Sequence, residues 1–250
     1  MSDAAHVKEI FSSIQGEGML AGRRQIFIRL AECNLDCEYC DTDFVKSSIC
    51  RIESLPGSGS FVEIPSIVGV QKIVSVVTEW LSLLPGAHHS VSITGGEPLL
   101  SLDALEIWLP ALRAHIPVHL ETNGTMISAL TRVGEHVDYI SMDVKLPSTA
   151  GCTDDLWEIH RIFLREASGL AAVSVKTVVG AESDLNEINQ VCDIISAVDD
   201  SIPLFLQPVT LPDGTLGISV AHILRLQEQA SAHIRDVRVI PQMHKLLGVL

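Results

Sequence analysis

The residues with the most distinctive chemistry are Cys33, Cys37 and Cys40, in the run Cys33-Asn34-Leu35-Asp36-Cys37-Glu38-Tyr39-Cys40. Their C-x3-C-x2-C spacing puts three thiolates on one tight loop, each able to bind a corner iron of a cubane cluster while the fourth iron stays open. A ferredoxin-type cluster needs a fourth thiolate, and a structural zinc site needs a fourth ligand, usually Cys or His. No His falls in the loop, and the nearest further cysteine, Cys50, lies across a stretch expected to be flexible. On spacing alone a zinc knuckle or a chance crowding of buried thiols stays open. A second feature is Thr94-Gly95-Gly96-Glu97-Pro98, at the end of a predicted strand. Alone, a Gly-Gly pair is only a turn.

These residues need elements to hold them. Gln25-Ile26-Phe27-Ile28-Arg29-Leu30 reads as the first strand of a repeat, and the cysteine loop, about 32–43, follows it directly. Val70, Ile73, Val74, Val77, Trp80, Leu81 and Leu84 recur at helical spacing, and Ser90-Val91-Ser92-Ile93-Thr94 follows as a strand. The rhythm continues with helices over about 102–114, 153–166, 184–197 and 218–233, and strands at 117–122, 137–144, 171–179, 203–209 and 236–241. Repeated βα units imply a parallel sheet with right-handed crossovers, either doubly wound or a full or partial barrel, with function at the C-terminal strand ends. Residues 46–66, with Pro56, Gly57, Ser58, Gly59 and Ser60, break the rhythm and are expected to form a flexible excursion.

Composition limits the class. The 250 residues fit one α/β-barrel-sized domain, 1–250. Apolar residues make up 47%, yet no run approaches the roughly 18 needed to span a membrane. A formal charge of -14 with no offsetting basic stripe argues against nucleic acid as a partner and for a small substrate. The N-terminus shows no export signal, so a cytoplasmic protein is expected, and crowding of three of the six cysteines then favours metal over disulfides.

The cysteine loop and the Gly-Gly-Glu-Pro run, at matching places in the repeat, resemble the radical S-adenosylmethionine (SAM) superfamily over nearly the whole chain. That resemblance implies a partial (βα)6 TIM-like barrel, a 4Fe-4S cluster on Cys33, Cys37 and Cys40, and SAM chelating the open iron. Tyr39 holds the aromatic position before the third cysteine, and Gly96 and Glu97 are where the SAM amino group is held in that superfamily. Further motifs resemble the 7-carboxy-7-deazaguanine synthase family: Ile14-Gln15-Gly16-Glu17-Gly18, Arg29, Cys40-Asp41-Thr42 and, near the C-terminus, Pro241-Gln242-Met243-His244-Lys245.

The family resemblance implies ring contraction of 6-carboxy-5,6,7,8-tetrahydropterin to 7-carboxy-7-deazaguanine with loss of ammonia, in 7-deazapurine biosynthesis. SAM then acts as a regenerated cofactor, Mg2+ sits by Thr42, an external donor of flavodoxin or ferredoxin type reduces the cluster, and the enzyme is a homodimer. A flat pterin bearing a carboxylate needs matched donors and acceptors. Ile14, Gln15, Gly16, Glu17, Thr94, His244 and the Leu250 carboxylate are candidate substrate contacts. Glu17 could equally hold its own turn. Arg29 can clamp the carboxylate or satisfy an internal salt bridge to Glu17 or Glu32. Glu121, in Glu121-Thr122-Asn123-Gly124, is a candidate proton acceptor, and Asn123 reads as a helix N-cap. Asp41, Ser141, Lys145, Gln207 and Pro208 are candidate SAM contacts, although Ser141-Met142-Asp143-Val144-Lys145 departs from the family's compact Ser-Pro-Lys. His88, His89 and His115 are expected in solvent. The competing readings are a radical SAM activase that makes a glycyl radical on a protein, and a non-catalytic iron-sulfur or zinc protein.

Overall fold

In the computed structural model, residues 2–40, 43–151 and 156–249 are described. The sheet begins with β1 (Ala4–Ile14), antiparallel to β2 (Arg24–Leu30). The strands that follow are β3 (Ile49–Glu53), β4 (Phe61–Pro65), β5 (Ile67–Gly69), β6 (Ser90–Gly95), β7 (Val118–Thr122) and β8 (Tyr139–Asp143). They continue with β9 (Ala172–Val179), β10 (Leu204–Pro208) and β11 (Val237–Val239). Among the described residues they form one eleven-stranded sheet in the order β11-β10-β9-β8-β7-β6-β2-β1-β3-β4, with β5 beside β1. From β2 through β11 every adjacent pair on this path is parallel. Helices 70–83, 102–113, 127–133, 157–168, 185–196 and 220–231 make the connections. This is the partial barrel that the radical SAM resemblance implies.

Period-two alternation sorts each strand into two faces. On β2, Ile26, Ile28 and Leu30 are fully buried in the apolar core. Their alternates Phe27 and Arg29 turn into the barrel, where Phe27 stacks on Phe11 of β1 at 5.0 Å. The helices answer with matching stripes: Leu105, Trp108, Leu109 and Leu112, all fully buried, fall at i, i+3, i+4 and i+7. Trp108 also donates its indole N–H to the Asp3 carbonyl at 2.8 Å, which ties the start of β1 to the helix layer. Helix 185–196 starts on a reciprocal capping box between Asp184 and Glu187.

Three expectations need correction. Residues 46–66 contain an ordered antiparallel pair, β3 and β4, that extends the sheet beyond β1. The Glu53 carboxylate organises the turn by accepting the N–H groups of Gly57, Gly59 and Ser12, at 2.8, 2.7 and 3.0 Å. The Pro-Gly-Ser run is therefore a hairpin tip, and Gly57 and Gly59, both at positive φ, supply its turn. Next, β1 and the short helix 127–133 were not anticipated; β1 is half polar and lacks a uniform apolar run. Finally, His88 is buried, hydrogen-bonded to Ser12 at 2.8 Å, because the loop before β6 folds under the barrel; His115 is exposed as expected.

Candidate active site

Where the parallel strands end, a cavity of about 870 Å3 opens. Inward-facing positions of successive strands supply its floor and walls: Arg29 from β2, Thr94 from β6, Glu121 from β7, Ser141 and Asp143 from β8, Lys176 from β9 and Gln207 from β10. The cysteine loop forms one rim, with Cys33, Cys37, Tyr39 and Cys40 all bordering the space. The turn Ile14-Gln15-Gly16-Glu17 forms another, and Pro208 and His244 also border it. The hairpin contributes Ile49, Arg51 and Glu63.

Opposite ends of the chain meet here. The Met243 N–H donates to the Gly16 carbonyl at 3.1 Å. A Cβ on Gly16 would lie 2.2 Å from the His244 ring nitrogen and 2.7 Å from its backbone nitrogen, so only glycine admits the C-terminal segment. A Cβ on Gly96 would lie 1.9 Å from the Glu32 carbonyl and 3.0 Å from the Cys33 Cβ, so this glycine lets β6 close against the cysteine loop.

A buried charge chain runs across the cavity. Glu17 pairs with Lys176 at 2.5 Å; Lys176 lies 3.4 Å from Asp143; Asp143 pairs with Lys145 at 2.7 Å; and Lys145 donates to the Tyr39 hydroxyl at 2.9 Å. Gln207 and Gln242 also donate to Glu17, at 3.2 and 3.0 Å. Burial works against the Glu17 carboxylate, but the Lys176 charge and hydrogen bond and the Gln242 hydrogen bond outweigh it, and its pKa falls to about 2. Burial likewise opposes ionisation of Asp143, and Lys145 and Lys176 together bring it below the usual carboxylate range. One oxygen, Asp143 Oδ1, is buried without a hydrogen-bond partner.

Beside this chain the floor is a polar network built around Gln15 and Glu121. Gln15 donates to Gln25 at 2.9 Å and to Glu121 at 3.1 Å, and its oxygen accepts the Glu17 N–H at 3.0 Å. Ser92 donates to the same Glu121 oxygen at 2.6 Å. Fully buried His119 bridges Gln25 and Ser141, at 3.3 and 2.8 Å.

Several predicted residues stand in unexpected company. The salt-bridge partner of Arg29 is Glu9, at 2.9 Å, and not Glu17 or Glu32, which pair with Lys176 and Lys46. The reason is register: Glu9 and Arg29 are opposed on β1 and β2 after a bulge between Val7 and Glu9. Arg51 of the hairpin holds the other Glu9 oxygen at 2.6 Å. Glu97, expected to hold SAM, is fully buried and does not border the cavity; it accepts from Thr122 Oγ1 and from the Asn123 and Leu99 N–H groups, at 2.9, 2.7 and 3.1 Å. Burial raises its pKa to about 7 against these donors. Asn123 is not an N-cap, a position that Met126 holds for helix 127–133. Asp41, Thr42 and Leu250 lie outside the described residues.

The cysteine loop suits a cubane better than a single ion. Cys33, Cys37 and Cys40 all border the cavity and no His lies in their loop, so each thiolate can take its own iron of a cubane, whereas a structural zinc ion would need a fourth ligand. Among the described residues, Cys50 is fully buried in the apolar core and Cys192 in the helix layer, so neither supplies a fourth ligand; Cys152 lies outside the described residues. For SAM, the orphaned Asp143 oxygen at the cavity edge fits an ammonium group.

Residues 28–167 match the Radical SAM superfamily. A 7-carboxy-7-deazaguanine synthase of Geobacter sulfurreducens is 51% identical over 247 residues, covering 98% of both chains. The enzyme of that name from Methanothermobacter thermautotrophicus is 32% identical, again over 98% of each chain. The chain belongs to the 7-carboxy-7-deazaguanine synthase family. A crystal structure of QueE from Escherichia coli shares the fold, with a TM-score of 0.61 at 21% identity over 96% of this chain and 94% of that one. As a 7-carboxy-7-deazaguanine synthase family member, the protein is a radical SAM enzyme that uses a 4Fe-4S cluster and SAM on a small-molecule substrate. The activase and the non-catalytic metal protein are not favoured.

Sequence reasoning missed Glu9, Asp143, Lys176 and His119. A signal existed: Ser141, Asp143 and Lys145, and Ser174 and Lys176, are polar at every second position of otherwise apolar strands. Alternation inside a parallel strand, which is usually apolar on both faces, marks a polar barrel interior.

Proposed function

We propose that this chain performs the radical ring contraction of 6-carboxy-5,6,7,8-tetrahydropterin to 7-carboxy-7-deazaguanine, releasing ammonia, in the cavity at the strand ends. The observation that carries the reading is the joining of the two family motifs, Gly16 and His244 in contact, across one space from Cys33, Cys37 and Cys40. When bound, the cluster and SAM supply an electron and a carbon-centred radical that takes a hydrogen atom from the substrate.

The chain's own residues bind and orient. Gln15 and Glu121, held in place by Gln25 and Ser92, present carbonyl and carboxylate oxygens as acceptors to the N–H edge of the pterin ring. Arg29, which borders the cavity beside Glu9, takes the substrate carboxylate, and Thr94 and His244 close the sides. Glu121 is the proton acceptor when the contracted ring becomes aromatic. Tyr39, Gly96, Ser141, Asp143, Lys145, Gln207 and Pro208, which border the cavity, would hold SAM, and the unpartnered Asp143 Oδ1 would accept from its ammonium group. Thr42, outside the described residues, would hold Mg2+ through its hydroxyl, since hard cations prefer oxygen ligands, and the ion would supply positive charge for the substrate carboxylate.

The whole chain works as one domain, as a homodimer in the cytoplasm, reduced by a flavodoxin- or ferredoxin-type protein. No helix among the described residues is long and apolar enough to cross a membrane. Anaerobic reconstitution followed by addition of reductant, SAM, Mg2+ and the carboxytetrahydropterin tests the activity. Formation of 7-carboxy-7-deazaguanine is expected; SAM cleavage without that product would reject the substrate. Thr42→Ala should lose product while keeping the cluster.

A further inference from the structure

We infer that Asn123 is a positioning residue for the cluster, giving one side-chain N–H to the Cys33 sulfur and thereby setting the reduction potential. The inference rests on the assignment of Cys33, Cys37 and Cys40 as cluster ligands.

Asn123 follows β7 at the cavity wall and is 6% exposed. Its side-chain nitrogen lies 2.8 Å from Asn34 Oδ1 and 3.9 Å from the Cys33 sulfur. A primary amide carries two hydrogens, so both acceptors can be served at once. The amide's orientation is fixed from its other end. Its oxygen accepts the Thr125 hydroxyl at 2.6 Å and the Thr125 N–H at 3.2 Å, and a flipped amide would turn N–H groups toward the Thr125 N–H donor. Asn34 returns a hydrogen bond to Thr125 at 2.9 Å, which closes a ring that fastens the cysteine loop to the loop after β7.

The backbone of Asn123 is held just as firmly. Its N–H goes to Glu97 at 2.7 Å, and its carbonyl accepts the ring N–H of buried His160 at 3.1 Å. Glu97 therefore acts on the cluster through Asn123, which gives a use for a buried carboxylate that does not border the cavity. All the hydrogen-bonding groups of Asn123 are engaged, and only one of them points at a candidate cluster ligand.

The chemistry follows from charge. Reduction adds an electron to a cluster whose negative charge is shared by its thiolate sulfurs, and an N–H donor at a sulfur stabilises the reduced state more than the oxidised one. Asn123 should raise the midpoint potential, which eases the supply of the electron and weakens its delivery to SAM. Removing it has the opposite effect on both.

The test is an EPR-monitored redox titration of the reconstituted holoenzyme without SAM. Asn123→Leu and Asn123→Ser, neither of which can reach the sulfur with an amide, should both titrate at more negative potential than wild type. Asn34→Ala, which cuts the loop tether but leaves the sulfur contact, should titrate with wild type. Unchanged midpoints in both Asn123 variants would overturn the inference. A measurement that needs no variant is pulsed EPR of wild type carrying 15N at its asparagine side-chain amides: a nitrogen coupled to the reduced cluster is expected, and none would be decisive against it. A wild-type protein that takes up no 4Fe-4S cluster would instead overturn the ligand assignment.

Discussion

At the residue scale, Lys176 is shared by two carboxylates that line the cavity, Glu17 and Asp143. Lys176→Met should destabilise the apoprotein by roughly 1–3 kcal/mol, as read from urea unfolding, less than for a fully buried lone charge because Glu17 keeps Gln207 and Gln242 and Asp143 keeps Lys145. The pH dependence has a definite sign. Glu17 falls from 4.5 to about 2 in the folded protein, so its contribution is complete above 4.5 and disappears as pH drops toward 2. Glu97 behaves in the opposite way. It rises from 4.5 to about 7, so the folded state holds a proton that the unfolded state has lost, and stability declines as pH climbs from 4.5 to 7. Glu97→Gln should flatten that decline; an unchanged slope of unfolding free energy against pH would refute the assignment. Much at this scale was legible in the sequence. The three cysteines, Gln15, Arg29, Glu121 and His244 all border one cavity as their motifs implied. The partners of Arg29 and the burial of Glu97 were not legible, because they depend on strand register and on the turn of a loop, neither of which a motif encodes.

At the element scale, one carboxylate, Glu53, organises the tip of the hairpin of β3 and β4 and ties it to β1. Glu53→Ala removes the acceptor for three backbone N–H groups and should cost about 1–3 kcal/mol, chiefly because the Ser12 N–H is buried and left unpaired while those of Gly57 and Gly59 can turn to water. Hydrogen exchange should show the loss concentrated in residues 49–65. Composition marked this segment as flexible because Pro56, Gly57 and Gly59 sit together, yet turn residues flanked by alternating Ile49, Arg51 and Ile52 also describe a hairpin. The parallel strands were easier to read, since a short apolar run followed by an amphipathic helix leaves little choice of topology. Gly16→Ala belongs here too. The added methyl displaces His244, and the segment 243–249 should become sensitive to carboxypeptidase while far-UV circular dichroism stays unchanged.

For the whole molecule, the apolar core under the helices is distinct from the polar barrel interior that carries the site. Cys37→Ala should therefore abolish the brown cluster chromophore yet leave apoprotein stability within about 0.5 kcal/mol of wild type, as expected for a loop position outside the core. A collapse of the fold in this variant would mean that the cysteine loop is structural. The order of strands across the sheet has one more result. Gly16 and the cysteine loop are made early and His244 near the end, and at about 5–20 residues per second the interval on the ribosome is roughly 10–40 s. Until His244 arrives, the wall that it completes beside Gly16 is missing, so the cavity bordered by the three thiols stays open on that side for longer than any other part of the site.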